Sequence, residues 1–217
     1  MKDLSYHYGL KMRIYPSTQQ KQSIKLNSDI ARTVYNKLIA IDQELYQLNR
    51  VKLPLDVVTD RINELKKRKN PKNLSNHFKY MDNKLLDRQV ISTAKQTYQN
   101  AWNMYKKVHT AGTPKFHKKS YVEKYQTSAH YGKKAEMNVF DATGVKFLDM
   151  QHIQLPKLGR IRISGSHRRL LDRKQDIKIG TVTISKTIDD KILRINAVGF
   201  RYSVCRQEKD YRFSSWC

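Results

Sequence analysis

Carboxylates and histidines are the first residues of this 217-residue chain to weigh for chemistry, and their spacing argues against a catalytic centre. Asp141 and Asp149 stand eight residues apart, and two carboxylates could in principle share a divalent cation. Asp141 precedes an Ala-Thr-Gly turn signal, however, and Asp149 interrupts an apolar run, so polar breaks between strands account for both. Asp189-Asp190 reads as a hairpin turn. His117, His130, His152 and His167 are scattered through basic surroundings, without the spacing of a metal site or a nucleophilic triad. Cys205 and Cys217 form no C-x-x-C and have no histidine at ligand spacing, which argues against a zinc site or a disulfide scaffold and favours a reducing cytoplasm. No glycine-rich phosphate loop of the Walker or dinucleotide kind occurs. The expectation is a chain that is not an enzyme and carries neither metal nor cofactor.

Cations are the informative side chains. There are 43 Lys and Arg against 19 Asp and Glu, a formal net charge of +24 and a sequence pI near 10.0. Such an excess repels itself unless a polyanion neutralises it, and nucleic acid is the commonest polyanion available. Thirteen tyrosines among those cations strengthen the inference, because the mixture grips phosphates and stacks on bases. Three segments carry the signal most densely. Lys115, Phe116, Lys118 and Lys119 place an aromatic between cations just after a Gly-Thr-Pro break. Lys157, Arg160 and Arg162 follow a Leu-Pro turn into a strand whose alternation sets Arg160 and Arg162 on one face. Arg168 and Arg169 close a Ser-Gly-Ser-His-Arg-Arg loop.

The charge is not a tail. Residues 1–105 carry +10, residues 106–178 carry +11, and residues 179–217 only +3. Basic residues interleaved with apolar ones point to a folded surface that follows a nucleic-acid backbone.

Hydrophobic periodicity assigns the elements that must position these residues. Residues 6–15 alternate as a half-buried strand, ended by Pro16, and Ser17 with Gln20 forms a capping box. Ile30, Val34, Leu38, Ile41, Leu45 and Leu48 then make the buried stripe of a helix over residues 18–49. A shorter amphipathic helix with Val57, Val58, Ile62 and Leu65 ends at Pro71, and a third runs from about Asp82 to Val108. Ala94, Tyr98, Ala101, Tyr105 and Val108, with Trp102 beside them, read as core. Beyond Pro114 the period becomes two, with strands over 120–128, 137–148, 151–163, 179–187 and 191–200. The fold class is therefore α+β. A lone strand left before the helices most simply pairs with the later ones, making residues 16–110 a helical insertion into a small, OB-like β barrel. No apolar stretch is long enough for a membrane span, and the start has no signal-peptide pattern, so a cytoplasmic protein is expected.

Five blocks, in order, resemble the TnpB (OrfB) family of transposon-encoded, RNA-guided DNA nucleases. They are Leu10-Lys11-Met12-Arg13-Ile14-Tyr15-Pro16-Ser17, Val34-Tyr35-Asn36, Thr113-Pro114-Lys115-Phe116, Leu155-Pro156-Lys157-Leu158-Gly159 and Thr181-Val182-Thr183-Ile184-Ser185, a resemblance spanning about residues 6–190. It implies a wedge barrel begun by residues 1–15 and completed by residues 111–190, with residues 16–110 as a helical recognition lobe. It also implies a structured guide RNA and a DNA duplex bearing a short flanking motif as partners. In such systems base pairing reads the sequence and the protein reads the motif and the backbone. Carried over by position, the motif contacts fall on Arg88, Ser92 and Thr127, of which Arg suits a guanine edge.

The chain departs from the family after the wedge strands, where a RuvC-like nuclease with three separated carboxylates and a four-cysteine zinc ribbon would follow. Residues 191–217 match neither, which sets them apart as an atypical tail not native to the fold and predicts a truncated or frameshifted member that binds without cutting. Two other functions compete: a nuclease-less, RNA-guided repressor, and a plain helix-turn-helix DNA-binding protein. Helices of the lengths expected fit a compact helix-turn-helix unit poorly.

Overall fold

A computed structural model describes residues 6–52, 55–81, 83–120, 122–130, 140, 142–165, 179–186 and 193–200. Strand β1 (Tyr6–Tyr15) ends at Pro16, and α1 (Thr18–Leu48) begins at once. The capping box is reciprocal: Ser17 Oγ accepts from the Gln20 amide at 3.3 Å, and Gln20 Oε1 accepts from the Ser17 amide at 2.9 Å. The Gln20 side-chain nitrogen also donates to the carbonyls of Leu158 and Arg160, at 2.8 and 3.1 Å. The first turn of α1 is thereby pinned to a β hairpin 140 residues later in the sequence.

Helix α2 (Asp56–Arg68) runs antiparallel to α1, held by Arg61 to Glu44 at 2.7 Å and by Lys69 to Asp42 at 2.5 Å. Lys66, Lys67 and Arg68 in its last turn complement the negative end of the helix dipole. Pro71, expected only to end that helix, also starts a new one, α3 (Pro71–His77). The reason is local: Asn70 accepts from the Lys72 amide as N-cap, and proline at the first position loses no intrahelical bond. A single 3-10 turn, Lys79–Met81, follows. The helix expected from Asp82 starts instead at Arg88, as α4 (Arg88–Lys107), because the Asp87 carboxylate accepts from the Gln89 amide and sets the boundary.

The remaining elements are β2 (Glu123–Ser128), β3 (Lys146–Asp149), β4 (His152–Leu155), β5 (Gly159–Gly165), β6 (Thr181–Lys186) and β7 (Leu193–Phe200). All pair antiparallel in one seven-stranded sheet of order β2-β6-β7-β1-β5-β4-β3. The single strand expected over 151–163 is a hairpin, β4 and β5, folded at Leu155-Pro156-Lys157-Leu158. Leu193–Phe200, from the segment set apart as an atypical tail, lies in the middle of the sheet between β6 and β1.

Alternation buries Leu10, Met12 and Ile14 of β1 with Ile161 and Ile163 of β5, Phe147, Ile153, Val182 and Ile184. The helices α1 and α4 lean chiefly on β2, and the sheet curls on itself. The curl brings the two edge strands together at one place, where His130 and Thr143 exchange backbone hydrogen bonds of 2.9 and 2.8 Å. Among the described residues, strand pairing otherwise stops at β2 and β3. The fold is α+β as expected, whereas the closed, OB-like barrel is replaced by a curled sheet whose described edges meet at a single residue pair.

Candidate nucleic-acid interface

Three basic surfaces emerge, and they divide the residues singled out by sequence. The first is a cleft of about 760 Å³ between α3, the 3-10 turn and the start of α4. Arg88 and Ser92, one helical turn apart on the exposed side of α4, form one wall. Lys72, Ser75, Asn76 and Lys79 form the other, with Met81 and Ile91 at the base. Its described lining holds three cations and no carboxylate, so it is built to receive negative charge. Lys72 and Lys79 were missed by sequence, since they fall on either side of a helix end that periodicity did not mark.

Thr127 is not on this surface. It is 0% exposed, and its hydroxyl donates to Asp87 Oδ2 at 2.5 Å. Asp87 is itself only 5% exposed, caps α4 with its other oxygen, and donates its backbone amide to the Asn27 side-chain Oδ1 on α1 at 3.0 Å. This corrects the expected base contact: Thr127 is a strut that joins β2, α4 and α1 behind the cleft. Nearby, Thr93 donates to the Gln126 carbonyl at 2.8 Å and fastens α4 to β2 a second time.

The second surface is the extended segment before β2. Asn36 of α1 holds it as a strand partner would, donating to the His117 carbonyl at 3.0 Å and accepting the His117 amide at 2.8 Å. The His117 ring stacks flat on Tyr35, with centroids 3.8 Å apart and planes 4° from parallel. Burial against that ring lowers the imidazole pKa. With the backbone so held, Lys115, Phe116, Lys118 and Lys119 are exposed.

The third surface is the solvent face of the sheet, where Arg160 and Arg162 lie as the alternation required. The register places Arg162 opposite Tyr15 and Ser164 opposite Arg13, and Tyr15 and Arg13 were absent from the candidates read from sequence. Lys157 is exposed at the hairpin tip. At the sheet edge Asp149 accepts from the Gln151 amide at 2.7 Å and from His152 at 2.9 Å, and Arg160 lies 3.5 Å away. The Gln151 amide first, and then His152, hold its carboxyl below the usual carboxylate range. Asp149 is thus committed to its neighbours, while Asp141, Arg168 and Arg169 lie outside the described residues.

The aromatics of α4 pack as expected at its middle and are freed at its end. Tyr98 and Trp102 both donate to Asp42 on α1, the latter at 2.9 Å, and Lys69 answers the same carboxylate from beyond α2. Burial raises the Tyr98 phenol pKa well above its ordinary value, and Asp42 raises it further. Tyr105, by contrast, is 42% exposed.

The strand that turns through a proline into a capped helix, β1 into α1, is also where a known family is matched. Residues 7–50 match the family model of the IS605 OrfB helix-turn-helix domain. The match supports an OrfB-type N-terminal region. It covers nearly all of β1 and the whole of α1, so within the matched residues the structure has one strand and one 31-residue helix. The next helix, α2, begins at Asp56, outside the match. No curated protein matches the chain. Among the described residues no helix is long and apolar enough to cross a membrane.

Proposed function

We propose that the chain is the nucleic-acid-binding part of a TnpB-like, transposase-associated protein. It holds a structured guide RNA and a DNA duplex with a short flanking motif, and these 217 residues do not cut DNA. The observation that carries this reading is the OrfB match at residues 7–50, and the net charge of +24 agrees with it. The cleft of Lys72, Lys79, Arg88 and Ser92 is the surface assigned to the duplex: Arg88 can reach a base edge while the two lysines neutralise phosphates.

The family description favours a second reading, a plain helix-turn-helix protein. Such a unit needs two helices joined by a turn of about three or four residues. Here the connection from α1 to α2 spans residues 49–55, and α2 returns antiparallel along α1.

The test is binding of the purified chain to labelled duplexes with and without guide RNA, followed by incubation with Mg²⁺. Guide-dependent binding that Arg88→Ala with Lys79→Ala weakens, and intact DNA throughout, is the expected result. Cleavage would overturn the non-catalytic assignment, and guide-independent, sequence-specific binding insensitive to those substitutions would favour the helix-turn-helix reading.

A further inference from the structure

Tyr15 stands near the end of β1 on the solvent face of the sheet and is 46% exposed. Guanidinium carbons of Arg13 and Arg162 lie 5.2 and 5.8 Å from its ring centroid, and its hydroxyl is 3.0 Å from Ser164 Oγ on β5. The ring is therefore tethered at its far end and flanked by two planar cations. Lys11 and Arg160 extend the same exposed face along β1 and β5. Among the described residues Arg13 and Arg162 have no carboxylate partner. Glycine at 165 keeps the neighbouring backbone close: its φ is +150°, and a Cβ there would come 3.2 Å from the Lys11 carbonyl.

We infer that Tyr15, with Arg13 and Arg162, is a stacking site for an unpaired nucleobase, with the surrounding cations following the phosphates on either side. The inference rests on the nucleic-acid reading above and adds the type of strand that this face takes. Same-face packing, along β1 for Arg13 and across to β5 for Arg162, accounts for the two guanidiniums near the ring. It leaves unexplained why a tethered aromatic surface among unneutralised cations remains open to water. A duplex keeps its base faces stacked on one another and has none to offer to a ring, whereas a single strand, loop or bulge does. Guanidinium planes stack on bases as tyrosine does, so the three side chains make one platform. Single-stranded RNA and single-stranded DNA share this chemistry.

The experiment is fluorescence anisotropy with the full chain and three labelled probes. These are an unstructured RNA of about 12 nucleotides, the DNA strand of the same sequence, and the corresponding DNA duplex. Tyr15→Leu is expected to weaken single-strand binding about 5- to 150-fold, the range for loss of one stacked base, and to leave duplex binding within about twofold. Tyr15→Phe should retain single-strand binding, and Arg13→Ala should also reduce its salt dependence, which Tyr15→Leu should not. A larger loss for RNA than for DNA would identify the source as RNA, and equal losses would show that the site is indifferent to the sugar. Unchanged single-strand binding by Tyr15→Leu, or an equal loss on all three probes, would overturn the stacking site while leaving the function standing. Failure of the unsubstituted chain to bind either single-stranded probe would likewise overturn the stacking site, whereas the function itself stands or falls on the guide-dependent binding described above.

Discussion

The Thr127 hydroxyl and the Asp87 carboxylate meet at 2.5 Å in the interior, joining the second strand to the cap of the fourth helix. Removing the hydroxyl leaves a buried carboxylate one donor short. Thr127→Val is therefore expected to cost about 2 kcal/mol of stability, the range for a hydrogen bond to a charged group, and Thr127→Ser much less. Denaturant midpoints measure this directly. Duplex affinity of the folded Thr127→Val protein should match that of the parent, because the residue offers nothing to solvent.

Asp42 accepts from Tyr98 and Trp102 of α4 and from Lys69 at the end of α2, three donors from two parts of the helical lobe. Asp42→Ala strands all of them at once, and a loss of about 3 kcal/mol is expected. Tyr98→Phe removes one donor and keeps the ring, so about 1 kcal/mol should separate it from the parent. Thermal unfolding of the two variants checks the ranking.

His117 gives the segment before β2 a pH dependence of known sign. Burial lowers its folded pKa below the ordinary 6.5, so the unfolded chain takes up the proton first as pH falls. The stacked, neutral imidazole is fully stabilising above pH 6.5, and its contribution is lost as pH falls through the folded value. Once the slower intrinsic exchange at low pH is divided out, amide protection across residues 113–120 should be weaker at about pH 5.5 than at about pH 7.5. His117→Phe should abolish that dependence.

Lys157 occupies the third position of the turn between β4 and β5 with φ of +63°, a left-handed conformation that a glycine would adopt freely. Lys157→Gly should raise the unfolding free energy by up to about 1 kcal/mol, read as a higher denaturant midpoint, despite the usual cost of glycine. A lowered midpoint would show that the lysine side chain makes a compensating contact.

What was legible in the sequence was local. Pro16, Ser17 and Gln20 lie within five residues and together mark the end of β1 and the start of α1 to within a residue. The alternation of Arg160 and Arg162 likewise set them on one exposed face. Turn chemistry was less legible where it broke its own preferences: lysine rather than glycine follows Pro156, so the β4–β5 hairpin read as one strand. Pro71 carried two meanings, and only the Asn70 cap shows which one applies. The remaining gaps are contacts between distant residues. Thr127 looked like a surface residue because its partner Asp87 is forty positions away. Tyr15 drew no notice because Arg162 and Ser164, which complete its surroundings, reach it only through a strand register with residues almost 150 positions on.

The position of β1 between β5 and β7 has a consequence for synthesis. This strand leaves the ribosome well before either of its neighbours, which come from residues 159 and beyond. At about 5–20 residues per second, roughly 7–30 s pass before the nearer neighbour exists, while α1 to α4 can fold locally in the meantime. For that interval the nascent chain carries a strand with two bare edges, the kind of segment that pairs with other chains. Lys11 and Arg13 on its outer face oppose such pairing by charge repulsion, so they act as gatekeepers of a waiting strand well before any nucleic acid reaches it.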